Sequence, residues 1–148
     1  MIVEEKFSVK APIQKVWDFL LDPNQVGACV PGCEKIEKLD DKTYESVVKV
    51  KVGFITVKMK SKTKITEMEP PHHLKSVTEG SDMLKAGQVY QEAVMDIKEI
   101  GENEVEVSYK ADTRVVGKLA TFGEKIMRSK AKKMGEEFAK NIKKKLEA

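Results

Sequence analysis

Ile55-Thr-Val-Lys-Met-Lys-Ser-Lys-Thr-Lys-Ile65 alternates without interruption. Ile55, Val57, Met59, Ser61, Thr63 and Ile65 occupy one set of positions, with Lys58, Lys60, Lys62 and Lys64 opposite. Successive side chains of a strand point to opposite faces, so this stretch has one lysine-covered wet face and one face for a core. That pattern belongs to an antiparallel sheet solvated on one side. Upstream, Tyr44, Val48, Val50 and Val52 alternate with Lys49 and Lys51, and Glu34-Lys-Ile-Glu-Lys-Leu39 leads into the hairpin loop Asp40-Asp-Lys42. Downstream, Pro70-Pro71 interrupts the pattern. Residues 72–80, 87–100 and 105–115 then read as three more strands, the last two joined by the turn Gly101-Glu-Asn103.

Two kinds of helix flank this sheet. Ile2 to Val9 reads as a first strand, after which Ala11-Pro12 opens a short amphipathic helix. Val16, Phe19 and Leu20 fall at i, i+3 and i+4, with Trp17 beside them. Asp22-Pro23 ends it, and Asp22 is placed to cap a second short helix through about Cys29. Pro31-Gly32 makes a turn. Residues 117–146 read as one long helix, whose apolar positions are Leu119, Phe122, Ile126, Met127, Met134, Phe138, Ile142 and Leu146. Several are four apart, so the stripe drifts, as a helix laid diagonally over a twisted sheet requires. The expected fold is α+β: a curved antiparallel sheet of about seven strands gripping one long C-terminal helix, with two short helices after the first strand. Residues 1–148 are expected to form a single domain.

Composition narrows the function classes. Of 148 residues, 41% are hydrophobic and 34% charged, a balance that suits a globular chain needing neither disulfide nor metal to fold. No apolar run reaches the ~18 residues of a membrane span. The N-terminus lacks the basic and apolar regions of a signal peptide, which gives the expectation of a cytoplasmic protein with reduced thiols. The net charge of +3 conceals a segregation. Residues 117–148 carry 10 Lys and Arg against four Glu, and the preceding 116 residues carry 17 against 20 acidic residues. Lys132, Lys133, Lys140, Lys143, Lys144 and Lys145 form either a solvated helix face or a docking surface for an acidic partner or anionic membrane. Nucleic acid does not fit, because the basic segment lacks interleaved aromatics and the body is acidic.

The chemistry-bearing motifs are sparse. Cys29 and Cys33 flank Val-Pro-Gly, one residue longer than a C-x-x-C redox pair. Zinc would need two further ligands, and the only histidines, His72 and His73, are strand neighbours that point to opposite faces. No metal and no cofactor is expected. No G-x-S-x-G, G-x-G-x-x-G or Walker sequence occurs.

The element order resembles the helix-grip fold of the START-like (SRPBCC) superfamily. Ala28-Cys-Val-Pro-Gly-Cys-Glu34, Ile36-Glu-Lys-Leu39, Tyr44, Val48-Lys-Val-Lys-Val-Gly53 and Gly117-Lys-Leu-Ala-Thr-Phe-Gly123 resemble the CoxG family, the G-type subunits of carbon monoxide dehydrogenase, over essentially the whole chain. The resemblance implies a non-catalytic accessory protein that helps a molybdenum-containing CO dehydrogenase-like enzyme, or a related hydroxylase, to mature or to meet the membrane. It also implies an apolar ligand, a lipid or quinone-like molecule, held between sheet and helix. Longer members carry a C-terminal tail that reaches the membrane. This chain ends at Ala148 without such a tail, so a membrane role for that tail is not expected here; the expected location is cytoplasmic, with peripheral contact at the inner face of the membrane as a further option.

Aromatic residues make up only 6% of the chain, so a sheet curved around one helix has few large rings to fill it. Methionine's flexible thioether suits an apolar cavity. The expected lining is Met59, Met83, Leu84, Met95, Tyr109, Leu119, Phe122, Ile126, Lys130 and Met134, with ordinary core filling as the alternative. Gly123 is expected on the inner face of the helix, where sheet or ligand approaches closely. Lys130 falls between Ile126 and Met134, either snorkelling to solvent or meeting a polar ligand head. Residues 80–87, with Asp82, Lys85, Gly87 and exposed Met83-Leu84, read as a mobile lid or an ordinary hairpin loop. A competing reading is an SRPBCC-type cyclase or hydrolase acting on a hydrophobic substrate, with Tyr44 and Tyr109 as inward proton donors.

Overall fold

Seven strands hydrogen-bond in the order β1-β7-β6-β5-β4-β3-β2, every neighbouring pair antiparallel, in a computed structural model that describes residues 1–147. The strands are β1 (Ile2–Val9), β2 (Cys33–Asp40), β3 (Thr43–Val52), β4 (Ile55–Glu69), β5 (His73–Asp82), β6 (Gln88–Gly101) and β7 (Glu104–Val116). Two short helices, α1 (Ile13–Leu21) and α2 (Pro23–Gly27), link β1 to β2, and α3 (Glu124–Leu146) runs to the C-terminus. This is the α+β helix-grip arrangement expected from the alternation. Asp22 caps α2, its Oδ1 accepting from Asn24 N at 2.9 Å and Gln25 N at 3.4 Å. The helix stops at Gly27, two residues short of the expected end.

The single helix expected over residues 117–146 is corrected. A short 3-10 helix, Lys118–Phe122, comes first, and α3 starts at Glu124. Gly117 (φ 88°) and Gly123 (φ 85°) bracket the 3-10 turn in left-handed conformations that favour glycine. The drifting apolar stripe is thus resolved by a break: Leu119 and Phe122 pack into a cluster with Val52, Val57 and Met59, and α3 starts afresh at Glu124. Gly123 is not a site of close approach, since a Cβ there would meet nothing within 4 Å. Close approach occurs at Gly135, where a Cβ would run into the Tyr109 hydroxyl.

The inward-facing side chains along each strand change size in step. On β7 they run Val105, Val107, Tyr109, Ala111, Thr113, Val115, and on β6 Val89, Gln91, Ala93, Met95, Ile97. Large residues at the two ends build two separate cores. The first gathers Val9, Val16, Trp17, Phe19, Ile97, Val105 and Val107 under α1 and the last turns of α3, where Ile142 and Leu146 are buried. The second gathers Val52, Val57, Met59 and Leu119, flanked by Val89, Val115, Phe122 and Met127. Small residues lie between them.

Asp82 is the buried charged residue of the described chain, at 3% exposure. It ends β5, and its Oδ1 accepts from Lys58 N at 2.8 Å while Oδ2 accepts from Ala86 N at 3.0 Å. Residues 80–87 are therefore a hairpin connection stapled to β4, and Met83 and Leu84 point into solvent instead of closing over the interior. Burial alone would raise the Asp82 pKa; backbone N–H groups of Lys58, Ala86, Leu84 and Met83 outweigh it and hold the carboxyl below its ordinary value. The contribution of Asp82 to stability is thus present above the unfolded value of 3.8 and lost as pH falls through the lower folded value. Asp82→Ala is expected to cost about 2–3 kcal/mol by stranding two amides. In urea melts from pH 7 to pH 3, Asp82→Asn should flatten the acid-side loss seen in the parent protein; an unchanged acid limb would remove Asp82 from that role.

Candidate functional site

Between the two cores lies a cavity of about 540 Å³, within the size range of small-molecule sites. Leu74, Ser76 and Thr78 of β5, Gln91, Ala93 and Met95 of β6, and Tyr109, Ala111 and Thr113 of β7 form its floor, with Thr63 of β4. Ala131, Met134, Gly135 and Phe138 of α3 form its roof. Val3 of β1 and Val26, Val30 and Pro31 from the α2–β2 region line its remaining walls. Ser76, Thr78, Ala93, Ala111, Ala131 and Gly135 make room between larger lining side chains such as Leu74, Met95, Tyr109, Met134 and Phe138. None of its lining side chains is charged. Other clefts, such as that beside Lys60, Glu79, Tyr90 and Arg114, are lined by charged residues.

One polar row crosses the floor. The strand register places Thr63 opposite Thr78, Thr78 opposite Gln91, and Gln91 opposite Thr113. The Thr63 and Thr78 hydroxyls lie 2.8 Å apart, and Gln91 Nε2 donates to Thr113 Oγ1 at 3.0 Å. The Gln91 carbonyl oxygen makes no side-chain hydrogen bond among the described residues, nor does the Tyr109 hydroxyl two rows away. Burial first, and Glu5 second, raise the Tyr109 pKa, so the phenol stays protonated and able to donate across the neutral range. Tyr44, the other expected inward donor, is spent on structure, donating to Leu21 O at 2.8 Å.

The expected lining divides into four groups. Met95, Tyr109 and Met134 line the cavity. Met59 of β4 and Leu119 belong to the second core, with Phe122 packed against it; the 3-10 turn before Gly123 holds Leu119 and Phe122 there. Met83, Leu84 and Ile126 are exposed, so they are corrected from lining to surface. Lys130 is half-buried over a separate cleft with Lys49, Lys51 and Lys133, the snorkelling arrangement. Many of the residues missed are small, among them Ser76, Thr78, Ala93, Ala111, Thr113, Ala131 and Gly135, but Leu74, Gln91 and Phe138 were missed too. On a single strand the signal is slight, Ala111 and Thr113 between Tyr109 and Val115 for example, and it emerges only when the strands are aligned.

Lys132, Lys133, Lys140, Lys144 and Lys145 are exposed on α3 and Lys143 half-buried. At about 100° per residue, Glu136 falls between Lys143 and Lys140, and Glu137 beside Lys144, so carboxylates interrupt the basic face. Lys143, Lys144 and Lys145 also occupy the last turn, where cations complement the helix dipole.

Neither cysteine has a reactive setting. Burial pushes both thiols above their ordinary pKa, against the depressed values of metal-binding or nucleophilic cysteines. His73 Nδ1 lies 2.6 Å from Asp96 Oδ1. With Glu67 and Glu69 it forms the one grouping of metal-ligand type among the described residues, away from the cavity lining. The thiols of the native protein are expected to react with a disulfide reagent at least about tenfold slower than those of the denatured chain; equal rates would show an activated cysteine.

A family model for CoxG, the G-type subunit of carbon monoxide dehydrogenase, matches residues 6–147. No curated protein is similar enough to count as a relative. Among solved structures, a conserved protein from Geobacillus kaustophilus is 25% identical with a TM-score of 0.90, the match covering 99% of this chain and 95% of that one. A START superfamily protein from Mycobacterium smegmatis is 13% identical with a TM-score of 0.79, covering 99% and 97%. The ZhuI aromatase/cyclase from Streptomyces sp. R1128 is 14% identical with a TM-score of 0.71, covering 99% and 93%. The latter two likenesses establish the START-like fold alone. With its family match running across nearly the whole sequence, this chain belongs to the carbon monoxide dehydrogenase CoxG family.

Proposed function

We propose that this protein is a non-catalytic accessory protein that holds a hydrophobic ligand, a lipid or quinone-like molecule, between sheet and α3. In this role it assists the maturation or membrane coupling of a CO dehydrogenase-like molybdenum hydroxylase. The observation that carries the ligand half is the uncharged cavity bounded by two filled cores. A chain that packs valine, isoleucine and leucine densely at both ends and small residues between leaves space a ligand would fill. The neutral lining favours a molecule without a net charge, since an ionised head would lose its hydration with no counter-ion among the lining residues. The Thr63–Thr78–Gln91–Thr113 row and the Tyr109 hydroxyl offer hydrogen bonds to a carbonyl or hydroxyl of such a molecule. Family membership supports the partnership with a CO dehydrogenase system. The whole chain acts as one helix-grip unit on the cytoplasmic side, at most peripheral to the membrane.

The enzymatic alternative rests on the aromatase/cyclase neighbour and on the unengaged Tyr109 hydroxyl. It ranks second because no carboxylate, histidine or lysine lines the cavity to act as general base.

Protein purified without detergent is expected to retain a lipophile seen by native mass spectrometry and recovered by solvent extraction. Filling the site with Ala111→Phe and Ala131→Phe should lower uptake of a neutral fluorescent lipophile about tenfold or more, with far-ultraviolet circular dichroism unchanged. No extractable lipophile, together with probe uptake indifferent to both substitutions, would sink the reading.

A further inference from the structure

Three chain segments meet at the end of the sheet that holds the second core: the β3–β4 turn, the β5–β6 connection and the 3-10 helix. Phe122 packs over Gly53, and its ring meets Phe54 edge-on at 5.4 Å between centroids. Met83 N donates to Lys58 O at 2.9 Å, and Leu119 N donates to Ala86 O at 2.9 Å, tying all three together. This end displays large apolar side chains that the fold could have buried and does not. Phe54 is 85% exposed and Leu84 81%, with Met83, Val116 and Ile126 about half exposed beside them. Exposure of this kind, concentrated at one end of a molecule, marks a contact surface.

The surrounding charge names the contact. Lys51, Lys85, Lys118 and Lys125 are all exposed on these segments. The carboxylates of residues 51–58, 81–87 and 116–126 are Asp82, which is buried, and Glu124, which pairs with Arg128 at 3.0 Å. The end is therefore apolar at its tips and positive around them. A protein partner would be expected to meet an interface depleted in lysine. An anionic bilayer suits both features, because apolar tips enter the acyl boundary while lysines meet lipid phosphates.

We infer that this end of the sheet, with Phe54 and Leu84 as its inserting side chains and Lys51, Lys85, Lys118 and Lys125 as its collar, is a docking surface for anionic lipid bilayers. It gives a surface to the membrane coupling proposed above, on which it rests, is distinct from the lysine face of α3, and does not depend on what the cavity holds. The test uses the full chain and sucrose-loaded vesicles of phosphatidylcholine alone or with roughly 30% phosphatidylglycerol. The protein should co-sediment with the anionic vesicles and release as salt rises. Phe54→Ser with Leu84→Ser should weaken partitioning about tenfold or more, whereas Lys140→Glu with Lys144→Glu, on α3, should leave it within about twofold. Phe54→Trp should shift its emission to the blue on vesicle addition. Melting temperatures of the variants, measured alongside, should stay close to that of the parent protein if the exposed substitutions leave the fold intact. No partitioning at low salt, or partitioning lost with the α3 pair and kept with Phe54→Ser and Leu84→Ser, would overturn the assignment. So would sedimentation equilibrium showing a dimer that those two serine substitutions dissolve, which would give this end to a second copy of the chain.

Discussion

One sheet face and one helix set the terms of this molecule. Seven antiparallel strands must bury the side of the sheet opposite their lysines, and α3, with 23 residues, spans about 35 Å of it. A single helix cannot fill a curved trough by itself. The chain solves the problem at the two ends, using α1 and the last turns of α3 at one and the 3-10 turn at the other. In the middle, alanine, serine, threonine and glycine leave a gap among the larger Leu74, Met95, Tyr109, Met134 and Phe138. Cavity, cores and helix break all answer the same shortage of covering structure.

The sheet was legible because its signal is local. Period-two alternation through residues 55–65 needs no knowledge of neighbours, and the lysine face declares which side is wet. The caps and breakers were equally readable, Asp22 most of all. The helix at residues 117–146 was not, because the same apolar spacing serves a drifting stripe and a broken one. Gly117 and Gly123 decide between them through backbone angles that sequence pattern does not display.

The cavity was less legible than the fold for a related reason. A void is defined by what several strands lack at the same level, and that level exists only once the register is known. Ala93 and Ala111 are ordinary residues in their own strands; paired across β6 and β7 beneath Ala131 and Gly135, they open a space. Several of the large flexible residues, Met59 and Met83 among them, serve the second core or the surface instead. The family resemblance carried the expectation of an apolar site; the residues that line the cavity follow from strand register together with the placement of α3.

The space between the cores also has a thermodynamic consequence. Side chains facing an unfilled volume forgo the dispersion contacts that a packed interior supplies. A molecule occupying that volume restores them only in the folded state, so its binding adds directly to the folding free energy. At a free concentration one hundred times its dissociation constant, the gain is about 2.7 kcal/mol, a sizeable share of the stability of a typical small domain. Under the proposed function, the melting temperature would report how full the site is, and release of the ligand would leave a looser protein with a thermodynamic incentive to load again.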